Sequence, residues 1–344
     1  TEKNNNTSET YSYGLTGTQL LFDGLKTSED VKAASEDIKA AQYNYRYTSS
    51  LVRLRLRTAF INLLKAQELL GITEEIREIR MYNLELISLL YNSGIEHKGA
   101  LLTAEANLAQ ADLEITQNKR ALEVAQRELL KEMGRSQSSS LKAEGNFDIS
   151  ESAKEKPDFE ILIGNNPSLG KLIAQRSAAS YGIKSAQADF FPQLSAEAGA
   201  NKNGSTWLPQ DEQWNAGLSL TFPIFEGGLK IYEVNRAKAL FNQAQANERS
   251  AKDSIILTLE QSWAALQDAV DGIGIQEKFL AAAQERAKIA QAQYSLGLIQ
   301  FDNWTIIEDD LVRAKKAFLN ARTSALLAEA SWIQAKGETL EYEE

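Results

Sequence analysis

Two hydrophobic rhythms divide the chain, and each predicts a different kind of element. In three short stretches apolar and polar positions alternate. Tyr11, Tyr13, Leu15 and Leu21 alternate with Ser12, Gly14, Thr16 and Thr18; Leu194, Ala196, Ala198 and Ala200 alternate with Ser195, Glu197, Gly199 and Asn201; Trp214, Ala216, Leu218, Leu220 and Phe222 alternate with Asn215, Gly217, Ser219 and Thr221. A period of two puts every apolar member on one face of a strand. Elsewhere the rhythm is helical. From Ser28 to Ser93 there is no proline, the composition is rich in Ala, Leu, Glu, Lys and Gln, and Leu51, Leu54, Ile61, Leu64 and Leu69 recur at helical intervals. A helix of that length spans roughly 100 Å at ~1.5 Å per residue, more than a compact domain needs, so an elongated bundle or coiled coil is expected. The stretches from Leu229 to Leu296 and from Trp304 to Lys336 have the same character. Within the first helix, Val52 to Arg57 alternates like a strand, but both flanks are helical and an isolated strand there would lack a partner, so helix is predicted throughout.

The pattern occurs twice, 203 residues apart. Tyr91-Asn-Ser-Gly94 returns as Tyr294-Ser-Leu-Gly297, Glu105 and Leu108 as Glu308 and Leu311, Gly71 as Gly274, and Gly134 as Gly337. Near the start, Leu21-Phe-Asp-Gly24-Leu-Lys matches Ile224-Phe-Glu-Gly-Gly228-Leu-Lys, with one extra glycine in the second copy. Each copy reads strand, long helix, sharp turn, long helix. Gly94 and Gly297 stand where a long helix must reverse, and a glycine just past a helix end can adopt the left-handed conformation that satisfies the last carbonyls. Each Tyr-x-x-Gly is therefore a helical-hairpin tip. The expected organisation is a first repeat over 1–134, a connector over 135–165 rich in Ser and charge, a second repeat over 166–337 and a tail over 338–344. The stretch from Lys202 to Gln213 is expected to be a hairpin loop, and the opening TEKNNNTSET resembles the end of an equivalent loop.

Composition removes several functions. There is no cysteine and one histidine, which leaves no material for a thiolate metal site or a Ser/His/Asp triad, and no metal or cofactor is expected. A net charge of −10 disfavours nucleic acid, whose binding rests on cationic neutralisation. No run of about 18 apolar residues is present, so any membrane crossing is not by an apolar helix. His97 lacks the partners of a ligand and reads as a solvated loop residue. Arg46, Arg53, Arg55 and Arg57, interleaved with Tyr43, Tyr45 and Tyr47, read as a solvated or interhelical face. Asp271-Gly-Ile-Gly274 has no preceding strand and no third glycine for a nucleotide loop. Asp309 and Asp310 are adjacent, so they diverge on a helix and make a poor acid/base pair. Nothing suggests an enzyme.

Strands of about ten residues with a dyad period and aromatic residues near one end are the signature of a transmembrane β-barrel. Tyr11, Tyr13, Leu15, Trp214, Leu218, Leu220 and Phe222 are then the lipid-facing set. The alternative is an ordinary sheet with one wet face in a soluble helical-hairpin scaffold or periplasmic adaptor.

Asn166-Pro-Ser-Leu169 followed by Ala179, Ile183, Ala186 and Ala188, the Phe191-Pro-Gln-Leu194 junction, Phe225-Glu-Gly-Gly228 and the two Tyr-x-x-Gly tips resemble the TolC-like outer-membrane factor family over nearly the whole chain. The resemblance implies a mainly α fold, with long helical hairpins in a periplasmic α-barrel and strands given to a shared β-barrel of about 12 strands, about four per protomer of a homotrimer. It also implies a passive exit duct in the outer membrane of a Gram-negative-type cell, extending into the periplasm. Such ducts serve tripartite drug or metal efflux pumps or type I secretion, with a periplasmic adaptor and an inner-membrane transporter as partners. Tyr91, Gly94, Tyr294 and Gly297 then mark the adaptor-docking tips.

Two departures from the family pattern are visible. Nothing in the first copy matches the helix and strand between Asn166 and Lys202, so three strands are expected where the family has a fourth, as in a fragment of a longer chain. The acidic residue that family members often carry six positions after the second tip glycine is here Asn303, and in the first copy Ala100. Asp302, Asp309 and Asp310 lie close by, with Glu308, and complete the candidate periplasmic entrance. Gly24, Pro192, Pro223, Gly227 and Gly228 read either as a swivel between the two barrels or as simple turn punctuation.

Overall fold

The computed structural model describes residues 9–135, 141–149 and 156–340. Most of the opening TEKNNNTSET, part of the connector and most of the tail lie outside the described residues. In chain order the elements are β1 (Tyr11–Phe22), α1 (Lys26–Asn92), α2 (Lys98–Glu132), α3 (Phe159–Gly164), α4 (Pro167–Ala188), β2 (Gln193–Gly204), β3 (Asp211–Thr221), α5 (Leu229–Ser295) and α6 (Phe301–Ala335).

The 203-residue offset holds for the four long helices, though not for the ends of β1 and β3. Both α1 and α5 have 67 residues, both α2 and α6 have 35, and each member of a pair starts 203 residues after the other. All four helices end alike. Gly94, Gly134, Gly297 and Gly337 have positive φ, and in each case the glycine N–H bonds the carbonyl three residues back while the next N–H bonds the carbonyl five back, as in Gly94→Tyr91 and Ile95→Leu90. This double closure satisfies carbonyls that a helix end otherwise leaves open. At the other ends, His97 Nδ1 accepts from the Ala100 N–H at 3.0 Å and caps α2, Asp158 caps α3, and Pro167 occupies the first position of α4.

The chain divides into two compact units, residues 1–44 with 168–252 and residues 45–167 with 253–344. Three clusters of buried apolar residues lie in the second unit. One gathers Ala59, Leu63, Leu129, Leu319 and Ala330 with Ala143 and Phe147 of the connector. The connector has no regular structure over 141–149, yet it is clamped: Gln67 both donates to the Ala143 carbonyl (2.9 Å) and accepts from its N–H (2.8 Å). A second cluster stacks Phe159 and Trp263 on Trp332. The third lies at the tips. The alternating stretch Val52 to Arg57 is helical, with Arg53 reaching Glu338 and the Thr339 carbonyl and Arg57 lying 3.6 Å from the buried Glu329, which makes this an interhelical face.

In the first unit β1, β2 and β3 form an antiparallel sheet in that order. β2 and β3 run on to Gly204 and Asp211, so the loop is confined to 205–210, shorter than the expected 202–213, because the Lys202↔Glu212 and Asn203↔Asp211 pairs continue the ladder. Near the end of β1 the register shifts between Leu20 and Phe22, so that Phe22, not Leu21, pairs with Leu194. One extra residue in a strand does this locally. It corrects the expected membership of Leu21 in the apolar face.

Candidate functional site

Cross-strand rows fix the two faces of the sheet. Leu15, Ala200 and Trp214 form one row, followed by Gly17, Ala198 and Ala216, then Gln19, Ala196 and Leu218, then Leu194 with Leu220 and Phe22. This face is apolar save for Gln19, and its large members are exposed, Leu15 at 82%, Trp214 at 84% and Leu218 at 73%. Tyr11 and Tyr13 stand at one end, where Trp207 of the hairpin loop meets both rings edge-on at 5.6 and 6.0 Å. Beside them Lys202 and Glu212 pair at 2.5 Å. The opposite face carries Thr16, Thr18, Ser195, Glu197, Asn201, Asn215 and Ser219, with Leu20 its one large apolar member. An apolar band thus ends in aromatic and charged side chains at one end of the sheet, over a largely polar reverse face.

The junction residues fall into two groups. Gly24 has φ +70°, and a Cβ there would stand 2.6 Å from both the Ala188 carbonyl oxygen and the Phe191 Cβ. Beside it Lys26 Nζ pairs with Asp189 at 2.7 Å, and Lys230, at the start of α5, donates to the Asp189 carbonyl. Pro192 follows in the same turn, between α4 and β2. The β3–α5 link is more open: Pro223, Ile224 and Phe225 lead to Gly227, with no atom within 4 Å of its would-be Cβ, and Gly228, which has only the Tyr232 ring near. Leu25 takes the left-handed conformation at φ +72°, at the place Gly228 holds in the other copy. Counted back from the starts of α1 and α5 there is no inserted glycine; a leucine stands where the second copy has one.

The four tip residues differ in exposure. Gly94 and Gly297 are the terminal glycines of α1 and α5. Tyr91 is exposed, whereas Tyr294 is 5% exposed, stacked on Trp304 with ring centres 4.4 Å apart and touched edge-on by Phe301. Ile87, Ala100, Ala104 and Ala290 complete this cluster. The Tyr294 hydroxyl donates to Glu96 Oε1 at 2.9 Å and so joins the tip of one hairpin to that of the other. Burial first, then the Glu96 carboxylate, pushes the Tyr294 phenol above its ordinary range, so it remains a donor in alkaline solution.

Among the entrance candidates, Asp302 and Asn303 are exposed on the first turn of α6. Asp309 and Asp310 diverge, as adjacent helical residues must. Asp309 pairs with Arg80 of α1 at 2.5 Å, while Asp310 pairs with Arg313 and lies 3.5 Å from Arg286 of α5. The negative charge of the latter two is thus balanced by arginines, and Asp302 has no ion pair among the described residues. Glu308, between them, is buried, and burial raises its carboxyl above the usual range; nearby Arg80, the Trp304 indole and Lys315 act in the opposite sense, while Asp309 adds to the rise. Arg80, Glu96 and Trp304 were not legible as a group in the sequence, since they join helices far apart along the chain. No group of three or more His, Asp or Glu able to hold a metal occurs among the described residues, and none of their helices is long and apolar enough to cross a membrane.

The model of the outer membrane efflux protein family matches residues 1–135 and 160–338, and the chain belongs to this family. Its members are outer-membrane channels rather than enzymes, which sets the soluble scaffold reading aside. The chain is 23% identical to the outer membrane protein TolC of Escherichia coli (strain K12) over 345 residues, covering 95% of this chain and 69% of that protein. It is 19% identical to the outer membrane efflux protein BepC of Brucella suis biovar 1 (strain 1330) over 338 residues, covering 95% and 72%. Among solved structures, that of CusC superposes with a TM-score of 0.86 at 20% identity, covering 97% of this chain and 79% of that one. The open-state MtrE outer membrane channel of Neisseria gonorrhoeae gives 0.80 at 17%, covering 97% and 81%.

Proposed function

We propose that this chain is a protomer of a homotrimeric exit duct that carries cargo passively through the periplasm and outer membrane for a tripartite efflux pump or a type I secretion system. The observation that carries the reading is the exposed apolar face of the sheet in a chain that also bears two capped helical-hairpin tips. A sheet of three strands has two open edges, and in lipid every backbone polar group must find a partner, so the edges of β1 and β3 need strands from outside the sheet. β1 and β3 run in the same direction, and a direct seam between them would be parallel. One further strand per protomer makes every seam antiparallel. Outer-membrane lipid then meets Tyr11, Tyr13, Leu15, Trp214, Leu218, Leu220 and Phe222, while the polar face lines water.

The tips, with Tyr91, Ile95, Leu296 and Leu298 outward, dock the periplasmic adaptor, which connects the duct to an inner-membrane transporter. Asp302 gives the entrance an uncompensated negative charge, and the Gly24 to Gly228 junctions turn the strands into the helices. Mass measurement of the detergent-solubilised protein, followed by conductance recording in a planar bilayer, tests the reading. A trimer with steady ion conductance is expected; a monomer without conductance, in detergent and with any preceding segment of the natural chain included, contradicts it.

A further inference from the structure

Glu308, Arg80 and Trp304 form a buried polar cluster that the transport path does not explain. Trp304 is 1% exposed, and its Nε1 lies near enough to Glu308 to act on its carboxyl but closes no hydrogen bond of normal geometry among the described residues. Burying an indole N–H without an acceptor is costly, so a partner is expected. Beside it is a cavity of about 10 Å³, enough for the centre of one water molecule, lined by Arg80 and Asn83 of α1, Asn107 of α2, and Trp304, Thr305 and Glu308 of α6. Glu308 is 6% exposed and has no direct ion pair, because the Arg80 guanidinium, itself 8% exposed, is bonded to Asp309. The charged and titratable groups around Glu308 are Arg80 from α1, and Asp309 and Lys315 from α6; Lys315 in turn pairs with Glu75 of α1 at 2.6 Å. From α2 the cavity receives only the neutral Asn107 and Ala104.

We infer that Glu308 is a proton-linked joint between the two hairpins, with one ordered water in the adjoining cavity bridging its carboxyl to the Trp304 indole N–H. With both carboxyls ionised, two negative charges share one buried guanidinium and Glu308 is left in a low-dielectric site without a bonded cation. A proton on Glu308 removes that charge while Asp309 keeps Arg80. The sign follows from linkage. Folding favours the protonated form of Glu308, so its contribution is fully present at acid pH and is lost as pH rises from the ordinary carboxylate range through the raised value of the folded state. Mild acid therefore tightens α6 against α1 and α2 beside the tips, and alkaline conditions loosen it.

Amide hydrogen exchange on the detergent-solubilised full chain, corrected for intrinsic rates, tests this between about pH 5 and about pH 8. Protection of segments 80–84, 104–107 and 304–308 is expected to be about fivefold higher at the acid end in the parent protein. In Glu308→Gln it should be high and independent of pH, while Asp309→Asn, which frees Arg80 to pair with Glu308, should move the midpoint to lower pH. A parent profile without slope, or a Glu308→Gln profile that retains it, overturns the inference. Trp304→Phe removes the donor that favours ionised Glu308, so the midpoint of the profile should move to higher pH; an unmoved midpoint counts equally against the bridging water.

Discussion

Tyr294 and Glu96 are 198 residues apart in the chain and 2.9 Å apart between hydroxyl and carboxylate. Their bond ties the tip that ends α5 to the turn that precedes α2, so neither hairpin can move at its tip without breaking it. The stacked Trp304 ring, 4.4 Å from that of Tyr294 between centres, holds the phenol in place.

Tyr294→Phe keeps the aromatic stack and deletes only the hydroxyl. It should cost about 1.5–3 kcal/mol, as for a hydrogen bond to a charged acceptor. Amide exchange over 90–97 and 293–300 should accelerate about tenfold, with segments far from the tips unchanged. Unchanged exchange at both tips would show that the bond does not hold them together.

Leu25 is strained where its counterpart is not. A side chain in the left-handed region costs roughly 1–2 kcal/mol, and glycine avoids that cost at the price of a more flexible unfolded chain. Leu25 is largely exposed, so little packing is lost on truncation. Leu25→Gly should be neutral or stabilising by up to about 1 kcal/mol. Gly24→Ala should cost more than about 2 kcal/mol, since its Cβ meets backbone and Phe191 as well as an unfavourable φ. Thermal unfolding in detergent, compared between the two variants, checks the pair.

On β3, adjacent residues face opposite solvents in this account. Leu218→Arg should cost about 2 to 4 kcal/mol if its side chain lies at mid-bilayer, whereas Ser219→Arg should leave assembly intact and change the ion selectivity of the pore. Heat-resistant trimer yield and reversal potential report the two effects. Equal tolerance of both changes in membrane assembly would count against a barrel wall.

Local signals in the sequence carried the fold further than the site. The helical rhythm, the absence of proline and the glycines at Gly94 and Gly297 are properties of consecutive residues, and the elements begin and end within a few positions of where those signals lie. The strand alternation was equally legible, but the bulge at Leu21 was not, because nothing in Leu20-Leu21-Phe22 says which of three apolar residues is the extra one. The hairpin loop read too long because Lys202, Asn203, Asp211 and Glu212 look like turn residues, while their cross-strand pairing keeps them in the ladder. His97 read as a solvated loop residue; its cap on the Ala100 N–H depends on a ring orientation that composition does not encode. The apparent extra glycine came from aligning Gly24-Leu-Lys with Gly228-Leu-Lys. That pairing does match the two lysines that converge on Asp189, but the backbone sets Leu25 against Gly228. Arg80 with Asp309 and Tyr294 with Glu96 had no sequence signal, being contacts between helices joined by long stretches of chain.

The central claim is that one face of the sheet meets lipid and the other meets water, and the chain suits a direct test because it contains no cysteine. Single cysteines placed in turn at positions 214 to 222, in protein assembled in outer membranes, can be scored for reaction with a membrane-impermeant maleimide and, after fluorophore attachment, for quenching by a lipid-borne quencher. The account predicts lipid quenching at 214, 216, 218, 220 and 222, and aqueous labelling at 215, 217, 219 and 221, in strict alternation. Uniform aqueous labelling along both sets, without lipid quenching at any position, would contradict it.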